Sequence, residues 1–182
     1  MGRRPKQKSD WPSKDAIRLK VDMRGRRTIG SRSMKIHVDS KQKDLSISKD
    51  SVRLAVSSLL TYLGISCEEV SIYYVTEKKI CQLHDQFFQD PTPTDCISFP
   101  IDPEQSQEHL GEIFVCPKTA LQYAGKKGLD PYEETTLYTI HGLLHLLGYD
   151  DLESSQRRTM RKKEKSCMRH LKDLGLLITK KR

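Results

Sequence analysis

The sequence predicts an α+β domain in which a mixed four-stranded sheet packs with about five helices. Three observations carry that expectation. Short β-branched and aromatic runs alternate with longer segments of helical apolar spacing. Glycine and proline punctuate them at the junctions. No segment of the chain repeats, which sets repeat architectures aside.

Lys35 to Asp39, inside Met34-Lys-Ile-His-Val, reads as the first strand. Ser48 carries the oxygen to cap a helix with Val52, Ala55, Val56, Leu59, Leu60 and Leu63 on one side, ending at Gly64. Val70 to Val75 is β-branched and aromatic, hence a strand. Ile80, Leu83 and Phe87 give Glu77 to Phe88 a helical spacing, broken by Pro91-Thr-Pro-Thr-Asp. Cys96 to Ile101 is a short strand, Asp102 to His109 a polar loop, and Leu110 to Cys116 a further strand. Pro117 opens a helix through Tyr123, and Gly125 and Gly128 mark a loop. Glu133 to Leu147 is the strongest helix: Leu137, Ile140, Leu144 and Leu147 share one face, and Leu143 and Leu146 make a second apolar side. Such a helix belongs at the centre. Leu152 to about Leu174 is a last amphipathic helix, with Met160, Cys167, Leu171 and Leu174 inward and basic groups outward.

With 182 residues and 36% apolar content, the chain supports one modest core. The net charge of +8 is unevenly spread. Residues 1–33 hold 11 basic and three acidic groups, 34–156 hold ten and 19, and 157–182 hold 11 and two. An acidic body therefore lies between basic ends. Residues 1–33 hold too little apolar surface to offset their conformational entropy, so they are expected to be a disordered basic extension. An RNA-binding arm, a mitochondrial transit peptide, which Asp10, Asp15 and Asp22 argue against, and a natural start at Met34 are all open readings of it. The last is favoured because recognisable fold begins there, with a single domain over 34–182. No run has the roughly 18 apolar residues of a membrane span, and the N-terminus has no secretory h-region. Five widely spaced cysteines, an odd number, argue against a disulfide framework and for a reducing cytoplasm.

The informative stretch is His141-Gly-Leu-Leu-His145-Leu-Leu-Gly148-Tyr149-Asp150-Asp151. Histidines four apart stack on one helix face, where both imidazoles reach one ion. Gly148 tolerates the left-handed turn that brings Asp151 back to the same ion. This zincin-like His-x3-His-x2-Gly-x2-Asp pattern supplies three ligands, His141, His145 and Asp151, and leaves a position open, as in catalytic zinc sites. A buried histidine is more often a hydrogen-bonded core residue; two at this spacing beside a terminating glycine tip the balance to metal. A zincin peptidase would need a glutamate directly after the first histidine, where Gly142 stands.

These residues resemble the YbeY endoribonucleases, bacterial rRNA maturation factors. The family signature His-Gly-x-Leu-His-Leu-x-Gly-Tyr-Asp-His matches His141 through Asp150, and Pro93-Thr-Asp-Cys-Ile-Ser-Phe-Pro100 resembles its Pro-Thr-Asp-Val-Leu-Ser-Phe-Pro. Leu110-Gly-Glu-Ile-Phe-Val resembles its Leu-Gly-Asp-Ile segment. The resemblance implies a single-strand-specific, zinc-dependent endoribonuclease with one Zn2+ per chain. It implies action in rRNA processing, including maturation of the 16S rRNA 3' end, and in ribosome assembly and quality control. Its partners would be rRNA and ribosomal subunits in the cytoplasm, with no DNA and no membrane. Two departures from the family matter. Asp151 stands where the third ligand is usually histidine, and Phe88 stands where the family has an arginine thought to act in catalysis. Those departures keep open a second reading, a catalytically weak ribosome-associated assembly factor.

Bound zinc lowers the pKa of its water to about 7, so such a site needs no protein base. Lys118 is a weak candidate for the missing cation. Arg157, Arg158, Arg161, Lys162, Lys163 and Lys165 form a run that alone would be a solvated helix face. Beside a hydrolytic metal helix, a phosphate-binding surface is the better reading, with Arg157, Arg158, Arg161, Lys162 and Lys165 as its RNA contacts. Cys81-x2-His84 and Cys167-x2-His170 repeat a ligand spacing, but Cys167 also fits an apolar stripe, and packing is the favoured reading.

Overall fold

A computed structural model describes residues 34–101 and 109–181. The basic extension expected over 1–33 lies outside the described residues, as does most of the polar loop expected over 102–109. The strands are β1 (Lys35–Ser40), β2 (Glu69–Tyr74), β3 (Cys96–Pro100) and β4 (His109–Val115). The helices are α1 (Lys49–Tyr62), α2 (Glu77–Phe88), α3 (Pro117–Lys127), α4 (Pro131–Leu146) and α5 (Ser154–Asp173). This is the expected α+β class. The sheet order is β1-β2-β4-β3, parallel from β1 through β4 and antiparallel between β4 and β3.

One face of the sheet carries the main core. Val38, Val70, Ile72, Tyr74, Ile113 and Val115 pack with Val56, Leu59 and Leu60 of α1 and with Ile140, Leu143, Leu144 and Leu146 of α4. Side chains of opposite parity, Tyr73, Ile97, Phe99 and Phe114, join Ile80, Leu83 and Phe87 of α2 in a smaller cluster. Helix α4 begins two residues before the expected Glu133, because Asp130 accepts from the Tyr132 and Glu133 amides and Pro131 takes the first turn. Each fully buried aliphatic on α4 contributes about 1.5–3 kcal/mol, so α4 is the most firmly held helix. Anything it carries is held with it.

One further boundary differs from the sequence expectation. Helix α3 continues past Tyr123 to Lys127, because Gly125 stays helical and Gly128 makes the left-handed cap at φ 66°. The chain after α5 is also structured: Ile178 is buried, and Lys180 bridges to Ile47. Among the described residues, no helix is long and apolar enough to cross a membrane.

Candidate metal centre

His141 and His145 sit on consecutive turns of α4, with rings edge to face and centroids 4.5 Å apart. Gly148 takes φ 81° immediately after the helix, and the Tyr149 amide closes the turn on the Leu144 carbonyl at 3.0 Å. The reversed chain brings Asp151 back, placing its Oδ2 3.6 Å from His141 Nε2. One ligand atom from each of His141, His145 and Asp151 lies within 4.8 Å of the others. The structure thus gathers the three residues singled out by their spacing.

Hydrogen bonds on the far ring nitrogens set how the imidazoles face each other. His145 Nδ1 donates to the Tyr149 carbonyl at 3.0 Å, and His141 Nδ1 donates to Glu164 Oε1 at 2.6 Å. A carbonyl and a carboxylate can only accept, so each Nδ1 carries the proton and each Nε2 presents a lone pair. The two Nε2 atoms are 3.0 Å apart. Lone pairs converging at that distance repel unless a cation or proton stands between them, and the Asp151 carboxylate faces the same point. The donor set therefore fits a divalent metal.

Electrostatics divide the pair. Burial opposes charge on His141, but the hydrogen bond to Glu164 and the Asp95, Glu164 and Asp151 carboxylates outweigh it and raise its pKa. At His145, burial and the neighbouring His141 charge prevail over Asp151 and lower the pKa. A second group overlaps the first: ligand atoms of Asp95, Cys96 and His141 also lie within 4.8 Å of one another. Burial, with Asp95, Asp151 and Glu164 close by, pushes the Cys96 thiol well above its usual range.

Gly142 faces inward, toward the sheet. A Cβ there would fall inside contact distance of Ile113 Cγ2, 3.1 Å from Ser98 Oγ and 3.5 Å from Cys96 Sγ. Ser98 Oγ donates to the Gly142 carbonyl at 2.9 Å, which locks β3 to this turn of α4. The residue that denies a peptidase its glutamate is thus also what lets the helix lie against the strands.

The basic run forms the outer face of α5. Ser154, Arg157, Arg158, Arg161, Lys162 and Lys165 line a shallow groove of about 460 Å³. Arg157 does a second job, because its guanidinium donates to the Asp151 and Leu152 carbonyls and so holds the loop carrying Asp151. Lys118 lies 3.4 Å from Glu77, an ion pair that occupies it on the α2 side. Phe88 ends α2 with its ring 5.5 Å from that of His84. The two Cys-x2-His spacings do not meet in any ligand group among the described residues. His84 bonds the Thr92 carbonyl, His170 bonds Ser58 Oγ, and Cys167 is in the core.

The model of the family described as "Endoribonuclease YbeY" matches residues 37–172. The chain belongs to the YbeY endoribonuclease family. A YbeY endoribonuclease of Protochlamydia amoebophila is 49% identical over 145 residues, which cover 79% of this chain and 97% of that protein. One of Chlamydia felis is 38% identical over 152 residues, covering 80% and 96%. The solution structure of a Thermotoga maritima protein superposes with a TM-score of 0.53 at 26% identity, covering 75% of this chain and 89% of that one.

Glu164 was not among the residues expected at the YbeY site. Its signal was present in the sequence: positions 160, 164, 167 and 171 follow the inward stripe of α5, so an acid stood among Met160, Cys167 and Leu171.

Proposed function

We propose that this chain is a zinc-dependent endoribonuclease that cuts single-stranded RNA during rRNA processing and ribosome assembly in the cytoplasm. The observation supporting it best is the convergence of His141 Nε2, His145 Nε2 and Asp151 Oδ2, with both Nδ1 protons tied back by Glu164 and the Tyr149 carbonyl. In this reading the domain spans 34–182 and 1–33 is a basic extension of it. His141, His145 and Asp151 hold one Zn2+. When bound there, zinc supplies a lowered pKa to the attacking water and Lewis acidity toward the phosphoryl oxygen.

The chain's own residues do the rest. Glu164 orients His141 and raises its basicity as a ligand. Arg157 keeps the Asp151 loop closed. Arg158, Arg161, Lys162 and Lys165, with Lys118 in a lesser part, hold RNA phosphates and release their counterions. Nothing in that face reads base edges, so choice of target rests on strandedness and the ribosomal setting.

Purified full chain on single-stranded rRNA fragments tests this. Cleavage should vanish with chelator and return with zinc. Cleavage that survives chelation sinks the metal mechanism. A second reading, an assembly factor with weak catalysis, is favoured by Phe88, which puts an aromatic ring where the family has a cationic group. It predicts ribosomal-subunit binding without turnover in the same assay.

Two further outcomes follow from this geometry. Glu164→Gln should lower zinc affinity by about 10–100-fold with little change in fold, as outer-shell partners of ligating histidines do. A competition titration against a chromophoric chelator measures it, and unchanged affinity would leave Glu164 as packing only. Reversing Arg161 and Lys165 to Glu should flatten the salt dependence of RNA binding by about 0.7 per lost phosphate contact on a single strand. Arg157 is spared in that test because it also holds the ligand loop. An unchanged slope would mean that RNA enters elsewhere.

A further inference from the structure

We infer that Cys96 Sγ is a fourth protein donor to the metal held by His141, His145 and Asp151, so that one thiolate, two imidazoles and one carboxylate make up the centre. This rests on the metal reading above. Cys96 opens β3, and its side chain shares a strand face with Ser98. Ser98 is pinned to the Gly142 carbonyl at 2.9 Å, so that face of β3 is held against the helical turn bearing His141. With no Cβ on Gly142, Cys96 Sγ comes within 3.5 Å of where that atom would be. The sulfur, an Asp95 oxygen and a His141 ring nitrogen already lie within 4.8 Å of one another. Donors around a tetrahedral zinc, with bonds of about 2.0–2.3 Å, stand about 3.5 Å apart. His141 is common to that group and to the one it forms with His145 and Asp151, so the sulfur has to swing toward those two as an ion binds.

Chemistry gives the sulfur a purpose. Relative to the family pattern, Asp151 replaces a nitrogen donor by an oxygen, and Cys96 occupies a valine position. The two departures thus flank one centre. A thiolate restores soft-donor character and biases the site toward Zn2+ and Cd2+ over Mn2+ and Mg2+. It also fills the position that catalytic zinc leaves open, so water must displace the sulfur or enter as a fifth ligand. The alternative is that Cys96 only packs β3 on α4.

The test loads the full chain with Co2+ as a spectroscopic substitute for zinc. The wild type should show visible ligand-field bands and a near-ultraviolet sulfur-to-cobalt charge-transfer band. In Cys96→Val, which installs the family's residue, the ligand-field bands should persist and the charge-transfer band should disappear. Zinc should also slow alkylation of Cys96 by iodoacetamide in the wild type while leaving Cys81 unaffected, a measurement that needs no variant. Ligand-field bands without charge transfer, or charge transfer unchanged in Cys96→Val, overturn the inference and leave the site of two histidines and one aspartate standing. Absence of all bands overturns both.

Discussion

His141→Ala is expected to reduce zinc affinity and RNA cleavage by more than about 100-fold, beyond the range seen when only a ligand's supporting group is lost. His141 is the residue on which the centre turns. Its Nε2 is 3.0 Å from His145 Nε2 and 3.6 Å from Asp151 Oδ2, and its Nδ1 receives the Glu164 support. Removing the ring takes one ligand and leaves the Glu164 carboxylate, 17% exposed, without its partner. The variant should therefore lose some stability as well as metal, because an acceptor left without its donor keeps its desolvation penalty. Cleavage comparable to wild type by purified His141→Ala would reject the proposed centre.

The second large effect is structural. Gly142→Glu would complete the peptidase motif, yet it is expected to destabilise the fold by more than about 3 kcal/mol, because it drives a carboxylate without a partner into the core. Position 142 faces Ile113, Ser98 and Cys96 across the packed interface between α4 and the sheet. Gly142→Ala is the graded control. Alanine gains about 1 kcal/mol of helix propensity, but overpacking against the fully buried Ile113 costs about 1–3 kcal/mol. A net fall in Tm should be measurable by calorimetry, and combining it with Ile113→Ala should be less damaging than the two separate losses added together. A rise in Tm for Gly142→Ala would mean that the helix does not lie against β4 as described.

What the sequence made legible was local. His141, His145, Gly148 and Asp151 are tied by helical spacing and one turn, and the strands announce themselves by β-branched runs. What it hid was relational. Glu164 stood on the inward stripe of α5 within a basic run, but its role appears only once α5 lies beside α4. Gly142 reads as the absence of a base, and its packing against Ile113 depends on β4 being its neighbour. Cys96 and Asp95 were visible as a motif without a role, because the loop before β3 meets α4 only in three dimensions. Gly125 misled for a different reason: glycine tolerates a helix interior when its neighbours favour one.

The pairing of His141 with Glu164 also bears on the order in which the chain folds. Those residues are 23 apart, whereas the Tyr74–Thr139 bond that fastens the sheet to α4 closes 65 residues. On loop-closure entropy alone, the longer connection is harder to form by about 1 kcal/mol, and contacts of short sequence separation form sooner. The helical hairpin bearing the ligands is therefore the early unit, and docking onto the strands is the late one. The proposed ligands His141, His145 and Asp151 all lie within that hairpin, so they are expected to gather before α4 docks on the strands.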